Sequence, residues 1–438
     1  MTELDLRIEK IVAGGDGLAR HEGRVVFVPG SAPGERIRAR PIREKTDYLK
    51  AVSLEVLESS PHRRPPPCPY YESCGGCRLM HLRPEAQLEA KRRILLEGIE
   101  RVTREPYQRA LPLHAANDVF YRNRLRFHVA FVGSKPIAGF RKRESREIVD
   151  IDRCLLGTET LNRVWERIRG AIAEDRRLAR KLVAVELEES TDEPGRIAAR
   201  FLVSSIDGLR AFEEGRRAPL LAELGLVGMV AAVDDDRGGG PSIRTGQSYV
   251  EHRVAGFTLR QSLGSFFQSN RFLLEDLVST VIAGAEEEGA SRGLDLFSGV
   301  GLFALPLSRK LPSVLGVESH SLALEDARKN AERAASEGSP RVRFLRGDAS
   351  AYVARAKLAP KDMVILDPPR GGLSPVLIGA LGKSPLRTIR YVSCDPPALS
   401  RDALRLRGHG FALEKLELFD LFPNTHHFET LATFTRQV

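Results

Sequence analysis

The stretch Gly293-Leu-Asp-Leu-Phe-Ser-Gly-Val-Gly301 decides the fold of the C-terminal part of the chain. Residues 293–297 read as a short buried strand, and Ser298-Gly-Val-Gly301 as a tight turn, where glycine lets the backbone approach a ligand that a Cβ would exclude. Working outward, further strands are expected at 313–318, 342–346, 363–367, 389–394 and 411–418. Helices lie between them, Leu322 to Ala335 and Ala398 to Arg407 among them. Strict alternation of strand and helix is the habit of an α/β, Rossmann-like, doubly wound parallel sheet.

The turn departs from a dinucleotide fingerprint: Ala304 stands where G-x-G-x-x-G needs its third glycine, and nothing nearby supports a pyrophosphate. Three carboxylates end successive strands: Glu318 the second, Asp348 the third and Asp367 the fourth. Ligands of such sheets bind at the carboxyl ends of the strands, and a carboxylate after the second can accept both hydroxyls of a ribose. Each carboxylate alone also suits a helix N-cap. Together they favour an adenosine cofactor carrying a sulfonium, S-adenosylmethionine, over NAD.

The fifth strand brings Cys394 to the same edge, directly before Asp395-Pro-Pro397. A lone cysteine is often a small buried hydrophobe; at a strand end beside a helix start it is expected as a thiolate. Thiolate addition to C6 of a pyrimidine makes an enolate with negative charge on C5, which readies C5 to accept a methyl group. A base must then remove the C5 proton so that the thiolate can leave. Phe422-Pro-Asn-Thr-His-His-Phe-Glu429 offers two histidines and a glutamate for that task. The competing reading is an ordinary strand with exposed polar residues.

These residues resemble a known family. Ser265-Phe-Phe-Gln-Ser-Asn270, Asp295-Leu-Phe-Ser-Gly-Val-Gly301, Asp367-Pro-Pro-Arg370, Ser393-Cys-Asp-Pro396 with Ser400-Arg-Asp402, and Phe422-Pro-x-Thr-x-His-x-Glu429 match, in order, the motifs of the RNA uracil-5 methyltransferases. The resemblance covers nearly the whole chain. It implies a class I methyltransferase domain with Cys394 as nucleophile and Glu429 as the base that takes the C5 proton. It also implies S-adenosylmethionine contacts from Gln268, Phe297, Gly299, Gly301, Glu318 and Asp367, with Asp348 beside them. Three positions depart from the family pattern: Ser298 for the usual Cys, Asp395 for Asn, and Leu302 where Asn is frequent. Asp395 lies nearest the chemistry and bears on base contacts and the pH profile.

Cys68, Cys74 and Cys77 form C-x5-C-x2-C, and Cys154 follows at a distance. Close-set cysteines with glycines between them let thiolates converge on one metal centre. Spacing alone leaves a four-cysteine zinc site and an iron–sulfur cluster open, while a redox C-x-x-C leaves the third thiol unexplained. Cys74-Gly-Gly-Cys-x-Leu-x-His-Leu82, Tyr121-Arg-Asn-Arg124 and Gly139-Phe-Arg141 resemble the iron–sulfur branch of the same family. That resemblance implies a [4Fe-4S] cluster on Cys68, Cys74, Cys77 and Cys154, structural and for RNA handling rather than electron transfer.

Three domains are expected. Residues 1–60 carry short strands (24–28, 36–40 and 49–57) between Gly and Pro turns, the pattern of a small OB-like β-barrel. The barrel resembles a TRAM domain, which implies RNA binding. Arg36, Arg38 and Arg40 alternate onto one strand face; this suits nucleic acid or an edge strand guarded by charge. Pro61 to Pro69 breaks regular structure and opens a central α+β domain at 61–262, in which a helix from about Pro84 to Val102, carrying Lys91-Arg92-Arg93, packs on the catalytic domain at 263–438. Within the central domain, Thr191 to Gly195 reads as a turn between strands and Asp234 to Pro241 as a loop.

Composition bounds the class. In 438 residues no apolar run nears the ~20 needed to span a bilayer. The acidic N-terminus, Met1-Thr-Glu-Leu-Asp-Leu-Arg7, is unlike a signal peptide. Five cysteines, three of them crowded, are unlike a secreted disulfide scaffold. The expectation is a cytoplasmic monomer with no membrane partner. A net charge of +9 agrees with RNA as partner without identifying it. Arg122, Arg124, Arg126, Arg141, Lys142 and Arg143 fit a backbone-contacting RNA path. Phe266 and Phe267 are base stackers or core, and the target uridine must be flipped out or already looped. Barrel and cluster together favour 23S ribosomal RNA as substrate, with transfer RNA second. A non-catalytic RNA-binding protein is the reading from another class.

Overall fold

A computed structural model describes residues 2–213, 217–234, 240–286 and 289–436. Most of the expected loop at 234–241 lies outside the described residues.

The C-terminal sheet contains β1 (Arg292–Leu296), β2 (Val314–Glu318), β3 (Arg343–Arg346), β4 (Asp362–Leu366), β5 (Thr388–Ser393), β6 (Phe411–Phe419) and β7 (Glu429–Arg436). Their order is β3-β2-β1-β4-β5-β7-β6. The first five are parallel, and β7 runs antiparallel between β5 and β6. Each of the six strands read from the sequence is present to within two residues. β7 was not among them: its Thr-Leu-Ala-Thr-Phe-Thr run is a strand because β5 and β6 flank it on both sides. Helices Ser321–Ser336 and Pro396–Arg407 stand where the sequence predicts them.

The catalytic core reaches back into the central segment. Helix Pro84–Thr103 buries Ala90, Ile94, Leu95 and Ile99 in one cluster with Leu399 and Ala403 of helix Pro396–Arg407. The two-residue strand Leu113–His114 adds to the edge of the sheet beside β6. The expected packing of this helix on the catalytic domain is therefore present.

The rest of the central segment forms a seven-stranded, mostly antiparallel sheet. Helix Glu159–Glu174 covers it, with Trp165 stacked on Phe127 at 3.7 Å. Thr191 to Gly195 turns between strands Leu182–Glu189 and Ile197–Val203, as expected.

The N-terminal sheet has six strands. Its two outermost members, Leu4–Arg7 and Lys10–Ile11, are separated by only two residues of chain, so the sheet closes on itself around Leu6, Ile8, Val26, Val28, Ile37 and Ala39. Strand Arg36–Glu44 has neighbours on both sides, so the edge-strand reading of its arginines is corrected. Arg36, Arg38 and Arg40 do share one exposed face, but Arg36 pairs with Asp5 at 2.7 Å and Arg38 with Glu55 at 2.9 Å. Among the described residues, no helix is long and apolar enough to cross a membrane.

Candidate active site

The turn after β1 is built on left-handed backbone: Phe297 at φ 72°, Gly299 at 53° and Gly301 at 94°. A Cβ on Gly301 would lie 2.9 Å from the Phe344 ring, so glycine is required there. Glu318, at the end of β2, accepts the Gly299 N–H at 2.8 Å and the His320 N–H at 2.6 Å. Its carboxylate is thereby held over the turn, where a ribose is expected. Asp348 is exposed and caps helix Ala349–Arg355, accepting the Ala351 N–H at 2.9 Å. The N-cap role weighed for each carboxylate is the one that Asp348 fills.

Behind the turn, Asp295 is fully buried, with one oxygen on the Ala304 N–H at 3.0 Å and the other unpaired. Burial, then the neighbouring Asp367 and Glu318, push its carboxyl up to about 8. Burial also pushes Asp367 up to about 7. The Asp367 and Glu318 charges thus disfavour ionisation of Asp295, and a bound positive charge at this sheet edge relieves that. The residues present therefore fit a cationic adenosine cofactor.

Cys394 follows the last residue of β5, and Glu429 is the first of β7. The register pairs Ser393 with Thr430, so the next step up the ladder sets Cys394 opposite Glu429. Cys394 opens into a cavity of about 200 Å³ lined also by Asp395, Arg370, His426 and His427, and by Gly14 of the barrel. Burial, then the negative charges of Glu429 and Asp367, push the Cys394 thiol up to about 12; Arg370 pulls the other way and Asp395 adds to the rise. The expectation that the helix start favours a thiolate is therefore corrected: burial first, and then the surrounding carboxylates, outweigh it in the free protein. Glu429 is itself raised well above an ordinary carboxylate, by burial first and then by Asp367, against a hydrogen bond from the buried Gln268 side chain. Burial lowers both histidines, His426 to about 4 and His427 to about 3, which keeps them neutral near pH 7.

The loop carrying Gln268 is held at its start by Arg124 and Gln261, which donate to the Ser265 carbonyl at 3.0 and 2.9 Å. Phe267 is core, stacked on buried His252 at 4.2 Å. Phe266, 69% exposed, is the one free to meet a base.

Cys68, Cys77 and Cys154 border a small core of Tyr71, Met80, Tyr121 and Leu156, and Cys74 is bridged to Lys142. Burial raises all four thiols; Cys154 and Cys68 raise Cys74 and Cys77 further, Cys74 adds to the rise of Cys77, and Cys68 to that of Cys154. The Arg122 guanidinium acts in the opposite direction on Cys77 and Cys154. Half-buried thiols that gather near one another yet resist ionisation fit a metal centre, since a coordinated thiol is deprotonated outright. Among the described residues, the trio of possible ligand atoms within 4.8 Å of one another is Asp192, Glu193 and Glu251, so the four sulfurs are more widely spread than that.

The expected RNA path changes in part. Arg124 and Arg126 are committed to the buried Glu186 and Glu188, at 3.2 to 3.4 Å, and Lys142 to Glu147 at 2.5 Å. Sequence reasoning missed Lys91 and Asn424. Lys91 is fully buried and donates to Asp420 at 2.6 Å. The available signal was its helical spacing with Gln87, Ile94 and Leu95, which sets it on the buried face rather than with its basic neighbours.

The sequence pattern of the family described as tRNA (Uracil-5-)-methyltransferase matches residues 84–437, and that of the TRAM domain matches residues 2–54. The chain is 35% identical to the 23S rRNA (uracil(1939)-C(5))-methyltransferase RlmD of Chromohalobacter salexigens, over 98% of this chain and 89% of that one. It is 33% identical to an uncharacterized RNA methyltransferase of Aquifex aeolicus, over 98% and 97%. Among solved structures, the Pyrococcus abyssi tRNA (uracil-54, C5)-methyltransferase in complex with S-adenosyl-L-homocysteine has a TM-score of 0.75 at 25% identity, covering 99% of this chain and 100% of that one. The C-terminal sheet is accordingly a class I S-adenosylmethionine methyltransferase fold, and the N-terminal barrel a TRAM domain. The chain belongs to the tRNA (uracil-5-)-methyltransferase family, S-adenosylmethionine-dependent enzymes that methylate C5 of uridine in RNA.

Proposed function

We propose that this protein methylates a uridine of 23S ribosomal RNA at C5, through a Cys394–C6 adduct that Glu429 resolves. The observation that carries this reading is the β5–β7 register, with Cys394 opposite Glu429 beside the carboxylate-rich cofactor edge. The choice of ribosomal RNA rests on relatives named for it, at 35% and 33% identity. Transfer RNA is the second reading, favoured by the solved neighbour.

Gln268, Phe297, Gly299, Gly301, Glu318 and Asp367 would hold S-adenosylmethionine, with Asp348 at the rim. When bound, the cofactor supplies an electrophilic methyl group. Cys394 gives its proton to solvent and its sulfur bonds to C6, which sends the C5–C6 π electrons toward C5 and the C4 carbonyl. Arg370, next to the sulfur, favours the thiolate. Once C5 carries the methyl group, Glu429 takes the C5 proton. The C–H electron pair restores the C5–C6 double bond and expels the Cys394 thiolate. Burial raises Glu429, which makes its carboxylate a stronger base than an exposed one.

Cys68, Cys74, Cys77 and Cys154 would hold a [4Fe-4S] cluster.

Cys394→Ala should abolish 5-methyluridine formation on a 23S fragment, and normal turnover by that variant would sink the covalent mechanism. Glu429→Gln should accumulate a denaturation-resistant protein–RNA band. Methylation of transfer RNA and not of the ribosomal fragment would reverse the substrate choice. Anaerobic purification with iron and sulfide present supports the cluster; stoichiometric zinc removes it.

A further inference from the structure

The loop that leads into Glu429 is held almost entirely from outside the sheet that carries Glu429. Asn424 is its centre: fully buried and in the left-handed region at φ 67°. Its backbone N–H donates to Gln87 Oε1 at 2.7 Å. Its carbonyl accepts from the N–H groups of Arg78 and Leu79 at 3.0 and 2.9 Å. Its side-chain oxygen accepts from Gln87 Nε2 at 3.0 Å and Arg64 Nη2 at 2.9 Å, and its Nδ2 donates to the Asp118 carbonyl at 2.6 Å. The flanking carbonyls are also taken: Lys91 donates to Phe422 O at 3.1 Å, Asn270 to Leu421 O at 3.0 Å, and Tyr121 to Pro423 O at 3.1 Å. Arg78 and Leu79 directly follow Cys77, so one grip on Asn424 comes from the cysteine-rich segment.

We propose that Asn424 is the positioning residue of the proton-removal step, tying the Glu429 loop to helix Pro84–Thr103 and to the cysteine-rich segment. It touches no reacting atom. A buried asparagine that uses its backbone N–H, its carbonyl and both ends of its side chain on three separate segments fixes the loop in one place, because any shift leaves several buried groups unsatisfied. The cofactor side has anchors that do not pass through Asn424: Glu318 is held by Gly299 and His320, and the Gln268 loop by Arg124 and Gln261 at its start and by Asn270 on Leu421 O at its end. Release of Asn424 should therefore disturb Glu429 while cofactor binding persists.

This rests on the Cys394–Glu429 reading, and the experiment separates the two. In single turnovers with labelled S-adenosylmethionine and the 23S fragment, Asn424→Ala should keep methyl transfer but slow product release by about tenfold or more, a difference readily resolved from wild type. The methylated adduct should accumulate, and cofactor affinity by calorimetry should stay within about twofold, below the size of a lost hydrogen bond. Asn424→Asp retains the acceptor for Arg64 and Gln87 but sets a carboxylate oxygen against the Asp118 carbonyl in place of the Nδ2 donor, and should show the same release defect. Gln87→Met, which leaves the loop sequence intact, should show the same split in weaker form. Cys77→Ser should increase amide exchange across residues 422–428 whatever metal the thiols hold.

Adduct formation, release and cofactor affinity falling together would mean a general structural role and overturn the proposal. So would wild-type kinetics in Asn424→Ala and Gln87→Met. Unchanged exchange in Cys77→Ser overturns the link to the cysteine-rich segment. If Glu429→Gln traps adduct and Asn424→Ala does not, this inference alone falls. If Glu429→Gln traps none, the base assignment falls and takes this inference with it.

Discussion

Cys394 should be a poor nucleophile in the free protein, and alkylation measures this without any RNA. Its thiol is pushed from an ordinary 9.0 to about 12. At pH 8 that difference leaves about a thousandfold less thiolate. A more basic thiolate is also a better nucleophile, with log rate rising by about 0.4–0.5 per pH unit of basicity, so the net deficit shrinks to about 30- to 60-fold. The assay is carbamidomethylation by iodoacetamide, followed on the Cys394 peptide by mass spectrometry, with the urea-unfolded chain as reference. Limited access alone would slow the reaction at every pH equally. The diagnostic is therefore the pH dependence: the rate should climb about tenfold per pH unit through pH 10 with no plateau. Burial is the largest cause of the rise and Glu429 the next. Glu429→Gln removes that charge, and a shift of about one pH unit makes alkylation at pH 8 about three- to fourfold faster. A plateau below pH 9, or a Glu429→Gln rate equal to wild type, would refute the electrostatic account. Either result would return the thiolate expectation drawn from the helix start.

Three further outcomes are expected. Lys91→Met strands the buried Asp420 carboxylate and should cost about 3–5 kcal/mol in denaturant unfolding, whereas Lys91→Met with Asp420→Leu should recover most of it; equal losses in both would remove the ion pair from the account. Asp395→Asn deletes one of the charges that raise Cys394, so the rising limb of the kcat/KM–pH profile should move to lower pH, and movement to higher pH would contradict it. If the four thiols hold one metal centre as proposed, Cys154→Ser should lower metal content along with any variant of Cys68, Cys74 or Cys77; unchanged metal content would take Cys154 out of the ligand set.

The α/β sheet was legible because its cues are local. Apolar runs ending in Gly299, Glu318, Asp348, Asp367 and Cys394 repeat at βα spacing, and each strand end announces itself by a turn or a cap. β7 was harder to read, since its residues do not differ from those of a half-exposed strand and its antiparallel place depends on β5 and β6. The arginines show the same limit. Alternation correctly put Arg36, Arg38 and Arg40 on one face, yet periodicity says nothing of the acids on neighbouring strands that hold Arg36 and Arg38. Arg124 and Arg126, expected to meet phosphate, are spent on glutamates of a strand some sixty residues later.

By itself the sequence marked out the strand-end carboxylates, Cys394 and Glu429 as candidates, and the four cysteines set apart from them, because these follow from residue type and spacing along the chain. Only the tertiary structure decided how they work together. An antiparallel register brings Glu429 opposite Cys394, and the barrel lends Gly14 to the same cavity. The cysteine-rich segment and a central helix hold the loop before Glu429 through Asn424. What holds Cys394 as a thiol belongs to the same class: burial first, then carboxylates at the ends of β4, β5 and β7, which meet only after folding, since electrostatic energy depends on distance in space rather than along the chain.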